Sequence, residues 1–181
     1  MIGASRPLSQ KETMSTNPPA SKVSLSDLQF DEIAHPPLYQ ARTAAVARRL
    51  GARKLGYRVI ELPPGKRGWP LHHHHVNEEM FVILSGTGVF RRGEERIAVA
   101  AGDVVAAPAG GPETAHQFVN EGHEPLRYLA VSTMESPDVM GYPESGKFAV
   151  FVGAAPGGAK AERSFEHVGR VADGIGYWDG E

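Results

Sequence analysis

Residues 70–79 restrict the possible folds most strongly, because four histidines and two acids there lead directly into an apolar stretch. Successive side chains of a β-strand point to opposite faces, so alternate histidines of this run share a face. The two pairs are His72 with His74 and His73 with His75. Imidazole and carboxylate groups suit zinc, iron, nickel or manganese. The segment therefore predicts half of a metal site, and a solvated His-rich loop is the alternative interpretation.

A later segment supplies a further candidate ligand. Residues 102–110 have the pattern of a turn, a short apolar strand and a second turn marked by Pro and Gly. Residues 115–120 then predict another strand with His116 near its start. A site with two histidines and one glutamate needs one more ligand, and the chain has no cysteine to supply it. His116 is the candidate, although a single strand histidine is also often structural.

Together the two segments resemble the two motifs of the cupin superfamily. The first motif is a Gly, a His-x-His pair, a Glu and a closing Gly; the second is a Gly, Pro-x-Gly, a His and an Asn. The matching residues are Gly65, His72, His74, Glu79 and Gly86, followed by Gly102, Pro108, Gly110, His116 and Asn120. Five residues separate Gly110 from His116 where the family commonly has two, so we expect a reshaped pocket rim. The resemblance extends over most of residues 40–152.

The histidine pair has an alternative register, His73 with His75, because the family uses both three- and four-residue spacings to the glutamate. The Pro-x-His-x-His start, which is similar to that of small bacterial cupins, favours the pair that begins at His72. Glu79 is preferred to Glu78, because its spacing to the closing glycine fits the motif and because it shares strand parity with an apolar run.

The resemblance implies one divalent metal ion, Fe, Mn, Ni or Zn, held by His72, His74, Glu79 and His116. It also implies a small-molecule ligand or substrate inside the barrel. Four aromatic residues are candidates for the pocket wall or for ordinary core: Tyr57, Phe81, Phe118 and Tyr128. Hydrogen bonds around the metal ligands could come from Asn120 and Gln117, although strand alternation turns Gln117 away from the site.

Short apolar segments separated by Gly and Pro turns predict an all-β fold. With the resemblance, this becomes a jelly-roll barrel, a double-stranded β-helix, within residues 40–152. Residues 1–26 are rich in Ser, Thr, Pro and Lys and predict a disordered tail. Residues 153–181 predict a linker and tail, in which Tyr177 and Trp178 anchor the chain on the barrel or on a partner subunit. A length of 181 residues suits one such domain.

Charge and hydropathy exclude several classes of partner. A net charge of −2 gives no basic surface for nucleic acid. No apolar stretch reaches the length of a membrane span, and no signal-peptide pattern starts the chain, so we expect a cytoplasmic protein without a membrane partner. Single-barrel cupins commonly pair, and we expect a homodimer in which Val46 and Leu50 pack on a neighbouring barrel.

Three functional interpretations follow from the candidate ligand set. The resemblance favours a metal-dependent enzyme, of the dioxygenase, lyase, decarboxylase or isomerase type. The second interpretation is a non-catalytic sensor or storage module for a sugar or an organic acid; no DNA-binding helix pair accompanies the barrel to make it a self-contained regulator. The third is a metal-free scaffold, which would leave buried ionisable groups without a partner.

Overall fold

The computed structural model describes residues 20–181. The disordered tail expected for residues 1–26 therefore lies mostly outside the described residues. In the part that is described, a 3₁₀ turn spans Leu25–Asp27, and Leu28 directly after it is buried.

The described chain consists of β-strands and short 3₁₀ helices, without an α-helix. The strands are β1 (Asp31–His35), β2 (Tyr39–Ala45), β3 (Gly56–Leu62), β4 (His73–His74), β5 (Glu79–Ser85), β6 (Thr87–Arg92), β7 (Glu95–Ala100), β8 (Val104–Ala107), β9 (His116–Val119), β10 (Leu126–Ser132), β11 (Asp138–Tyr142), β12 (Lys147–Val152) and β13 (Phe165–Arg170). The 3₁₀ helices span Leu25–Asp27, Ala47–Leu50, Pro112–Thr114, Lys160–Glu162 and Val171–Asp173. Within residues 20–181, no helix has the length and apolar character needed to cross a bilayer.

The strands form three antiparallel sheets whose neighbours are often distant in sequence. The six-stranded sheet has the order β1-β2-β3-β10-β5-β8, the four-stranded sheet β13-β12-β11-β4, and the three-stranded sheet β7-β6-β9. Strand β10 lies between β3 and β5, and β11 pairs with β4, so the chain crosses repeatedly from one sheet to another. The predicted all-β jelly-roll fold is confirmed.

The main core lies between the sheets, and strand alternation selects its members. On β5, Phe81 and Ile83 are buried, whereas Met80 is exposed. On β3, Ile60 and Leu62 belong to the same cluster. Its other buried members are Ala41, Phe90, Val99, Ala107, Phe118, Leu126, Tyr128 and Ala130. Glu79 has the parity of Phe81, so the core-facing side of β5 begins with a carboxylate.

The segment before β3 packs on its own domain. Val46 is buried in a second cluster with Leu28, Ala44 and Val59, and Leu50 packs against that cluster. The expectation that Val46 packs on a neighbouring barrel is therefore corrected, whereas the one for the half-buried Leu50 stays a prediction. Both side chains pack against the outer face of β2 and β3.

The expectation of only a linker and tail in residues 153–181 is also corrected. β13 pairs with β12 along its whole length, from Val152 opposite Phe165 to Lys147 opposite Arg170. The pairing satisfies backbone groups on an edge of β12 that would otherwise lie open to association. Beyond β13, Tyr177 and Trp178 contact each other but are 87% and 77% exposed, so they do not anchor on this barrel.

Two isoleucines test this division between core and surface. Ile83 is 2% exposed in the main core, whereas Ile97 on β7 is 37% exposed. Ile83→Ala should lower the free energy of unfolding by about 2–5 kcal/mol, because it leaves a cavity in close-packed surroundings. Ile97→Ala should cost less than about 1 kcal/mol. Urea unfolding measures both values, and equal losses would contradict the assigned packing.

Candidate metal centre

Four side chains from three parts of the chain meet at one end of the main core. His72 lies just before β4, His74 ends β4, Glu79 begins β5 and His116 begins β9. One potential ligand atom from each residue lies within 4.8 Å of those of the other three. The four residues named from the sequence are thus brought together, and the cluster they form could hold a metal ion.

A backbone bridge fixes two of these residues opposite each other. The amide N–H of His116 donates to the carbonyl oxygen of His72 at 2.7 Å, and the amide of His72 donates back at 3.3 Å. Side chains of directly opposed residues on one face lie close together. The two imidazole centroids are accordingly 4.6 Å apart. The bridge therefore joins the two motif segments at the point where the ligand atoms are needed.

Hydrogen bonds on the far ring nitrogens orient two of the imidazoles. His72 donates from Nδ1 to the carbonyl oxygen of Pro70 at 2.7 Å, and His74 donates from Nδ1 to Oδ2 of Asp138 at 2.6 Å. A carbonyl or an ionised carboxylate only accepts, so each Nδ1 carries a proton and Nε2 is the ring nitrogen left for a metal ion. This is the arrangement by which proteins usually orient histidine ligands of metals.

The remaining two members of the cluster contact each other directly. Nε2 of His116 lies 2.9 Å from Oε2 of Glu79, and Nε2 of His74 lies 3.6 Å from the same oxygen. Nδ1 of His116 is buried and has no hydrogen-bond partner among the described residues. The imidazoles of His74 and His116 therefore converge on one carboxylate oxygen of Glu79.

Burial and charge determine the protonation of the cluster. Burial, with the neighbouring imidazoles of His116 and His74, lowers the pKa of His72 to about 3. Burial alone would raise the pKa of Glu79, but the hydrogen bond with His116 and the nearby imidazoles lower it to about 2. Burial alone would lower the pKa of His74, but the hydrogen bond to Asp138 outweighs burial, and the net effect is a raised pKa. The cluster thus offers an ionised carboxylate and favours a cation, either a proton or a metal ion, beside it.

The intervening residues of the motif point elsewhere. His73 is buried, donates from Nδ1 to the carbonyl oxygen of Gly110 at 2.9 Å, and lies over Gly141 on the paired strand. A Cβ at Gly141 would lie 2.1 Å from Nε2 of His73, so glycine is required there. His75 and Glu78 are exposed. The structure brings the pair beginning at His72 to the cluster, and not the alternative pair.

A cavity of about 140 Å³ adjoins the cluster. At about 30 Å³ per water molecule, such a volume has room for roughly five waters, or for one small organic molecule. Three of the aromatic residues proposed for the wall, Phe81, Phe118 and Tyr128, line it, together with Trp69. Tyr57 does not line it and is corrected: it packs against the second cluster, because it lies on the opposite face of β3.

The two amides suggested as supports for the ligands have other partners. Asn120 donates to the carbonyl oxygens of Leu62 and Glu124 and so fixes the turn after β9. Gln117 is bonded to the carbonyl oxygen of Trp69 and to the guanidinium of Arg91. The residue that supports a ligand is instead Asp138, which is fully buried at the start of β11. Its sequence context, a single acid after a Pro, carries no motif that marks this role.

Sequence reasoning also missed several residues that line the cavity. They are Met134, Pro156 and Gly157, and the last two belong to the segment predicted to be a linker. Arg58 lines the cavity as well and donates from Nη2 to the carbonyl oxygen of Gly157 at 2.7 Å. Strand parity with Ile60 was the available signal for Arg58, because alternate residues of β3 face the cavity.

Comparisons with known proteins identify the family of the chain. A family model described as Cupin domain matches residues 58–132. An uncharacterized protein of Methanocaldococcus jannaschii is 30% identical over 101 residues, which are 56% of this chain and 69% of that protein. The oxalate-binding protein of Thermotoga maritima is 36% identical over 72 residues, 40% of this chain and 56% of that protein. The fold is similar to that of a sugar phosphate isomerase of the cupin superfamily from Silicibacter pomeroyi, with a TM-score of 0.69, 20% identity, and coverage of 84% of this chain and 94% of that one. The chain belongs to the cupin superfamily.

Proposed function

We propose that this protein is a metal-dependent small-molecule enzyme of the dioxygenase, lyase, decarboxylase or isomerase type. One divalent ion, Fe, Mn, Ni or Zn, would be held by Nε2 of His72, His74 and His116 and by a carboxylate oxygen of Glu79. The observation that carries the proposal is the convergence of these four ligand atoms within 4.8 Å. Neutral imidazoles and an ionised carboxylate are the donors that such ions require.

The chemistry of the site depends on the coordination positions of the metal that the protein leaves free. His72, His74, Glu79 and His116 would hold the ion and would leave part of its coordination shell for water or substrate; an open position distinguishes a catalytic metal from a structural one. When bound, the metal would act as a Lewis acid on a substrate oxygen. The chain's own contribution is the apolar wall of Trp69, Phe81 and Phe118, which excludes bulk water from the reacting groups.

The alternative is a module that binds a sugar or an organic acid at the same metal without transforming it. The name of the Thermotoga maritima relative, an oxalate-binding protein, favours an organic acid as ligand. Oxygen uptake and product analysis with the metal-loaded protein separate the two proposals. Turnover of a candidate acid supports the enzyme, whereas saturable binding without product supports the binding module.

Metal retention tests the ligand assignment. His116→Ala and His72→Ala should each remove most of the bound metal, because each variant loses one of four ligands. His75→Ala is the matched control, since His75 belongs to the same run but is exposed, and it should keep the wild-type amount. Elemental analysis of protein purified without a His-tag gives the metal content per chain.

The alternative register gives a different pattern. If metal content falls in His73→Ala and His75→Ala but stays at the wild-type level in His72→Ala, the ligand pair is the other one. Unchanged metal content in all of these variants would exclude a metal site in this cluster.

The proposal includes a homodimer. Large apolar side chains are exposed along the C-terminal segment, and such concentrations commonly mark interfaces. They are Phe165, Val168, Val171, Ile175, Tyr177 and Trp178. Light scattering at micromolar concentration should give twice the chain mass of 19.5 kDa, and replacing Tyr177 and Trp178 by Ser should shift the mass toward one chain. A single-chain mass for the unmodified protein would contradict the dimer.

A further inference from the structure

We infer that Arg58 is an anion-binding residue of the cavity, and that the ligand is a small organic acid whose second acidic group contacts it. The inference rests on the proposed metal site, which would take the first acidic group. It adds the substrate class, a compact diacid, and a residue that selects it.

The sheet register places Arg58 on the same sheet as Glu79, with one strand between them. Arg58 is opposite Ala130 on β10, and Ala130 is opposite Phe81 on β5. Glu79 is the next inward-facing residue along β5 from Phe81. Arg58, Ala130 and Glu79 all line the same cavity, so a ligand in it can contact both Arg58 and the cluster.

The contacts of Arg58 leave most of its hydrogen-bonding capacity unused. Its one side-chain hydrogen bond among the described residues goes from Nη2 to the carbonyl oxygen of Gly157 at 2.7 Å. A guanidinium has five N–H groups, so this bond fixes the group and leaves donors for a ligand. Gly157 has a φ of +79°, and a Cβ there would lie 2.1 Å from Nη2 of Arg58. Only glycine permits this approach, and the C-terminal segment thereby holds the guanidinium at the cavity.

Five arginines of the described chain lie within 4 Å of an acidic group, whereas Arg58, which lines the cavity, has no such partner in residues 20–181. The paired ones include Arg42 with Glu61, Arg91 with Glu144, Arg96 with Glu121 and Arg163 with Glu166. Burial lowers the pKa of Arg58, and the charge of Glu79 opposes that effect. A half-buried cation without an ion-pair partner is costly unless an anion joins it.

The net charge of the site also favours an anionic ligand once a divalent ion is present. The ion and Arg58 contribute three positive charges, whereas Glu79 and Asp138 contribute two negative ones. A ligand that enters this cavity is therefore favoured if it is an anion. A guanidinium matches a carboxylate through two parallel hydrogen bonds, which makes a carboxylic acid the best fit for the Arg58 end.

The size of the cavity limits the acid. A volume of about 140 Å³ is close to that of a cavity of about 150 Å³ that holds one benzene molecule, so an acid of about four carbons fits. Trp69, Phe81 and Phe118 line the cavity with apolar surface. A diacid with a short carbon chain satisfies both ends and leaves its apolar part against this wall.

Malate and lactate are the probes that test this inference. Both carry the 2-hydroxy acid head that can chelate a metal, but only malate has a second carboxylate. Isothermal titration of the Mn²⁺-loaded protein should show malate binding at least about tenfold more tightly than lactate, as for a charge-assisted hydrogen bond. Arg58→Gln should abolish this preference and leave lactate affinity within about twofold. Arg96→Gln, on an exposed arginine, is the matched control and should retain the preference.

The outcomes separate the inference from the proposed function. Elemental analysis before each titration reports metal loading, and a protein that does not load overturns the metal site and the inference with it. A metal-loaded protein with no preference for malate overturns only the role of Arg58. The same holds if Arg58→Gln keeps the preference. Should Arg58→Gln fail to fold, Arg58→Lys and the wild-type comparison decide the question. Lysine keeps the positive charge but lacks the two parallel N–H donors of the guanidinium, so Arg58→Lys should lose part of the preference for malate.

Discussion

The two-way backbone bridge between His72 and His116 is the contact on which the site depends. It closes the barrel by joining a segment before β4 to the first residue of β9, and the same two residues carry imidazoles that face each other. His74 and Glu79 then reach the same point, because strand alternation repeats every second residue. A barrel that failed to close here would leave these donors dispersed, so fold and site are specified together.

Holding this cluster without a cation has a cost that the rest of the domain must offset. Glu79 is a largely buried ionised group, and burial disfavours that form, although the neighbouring imidazoles oppose the effect. The aromatic packing of Phe81, Phe118 and Tyr128 directly below the cluster keeps it in place. Asp138 adds a fixed acceptor for His74. The arrangement is costly for stability alone, and it is suited to a bound cation.

Features that depend on local sequence patterns could be predicted from the sequence, whereas features that depend on long-range contacts could not. Strand alternation and turn residues predicted an all-β fold, and the resemblance of two short motifs to the cupin superfamily predicted the jelly roll and the gathering of His72, His74, Glu79 and His116. Both signals are local in the sequence. Asp138, Gly157 and the partner strand β13 are brought to the site or the sheet by contacts across tens of residues, and no local pattern reports those. The prediction that Tyr57 lines the pocket was wrong, although strand alternation alone puts Tyr57 on the outer face of β3. The same alternation puts Arg58 on the face that lines the cavity.

X-ray absorption at the edge of the bound metal tests the central claim most directly, because it reports the ligands of the ion itself. The account predicts nitrogen and oxygen scatterers at about 2.0–2.2 Å for a zinc-like ion, with the outer-shell pattern of three imidazoles. Asp138→Asn should keep the number of imidazoles while it disorders the ring that Asp138 orients. A first shell made of water and carboxylate oxygen alone, without imidazole scattering, would contradict the account.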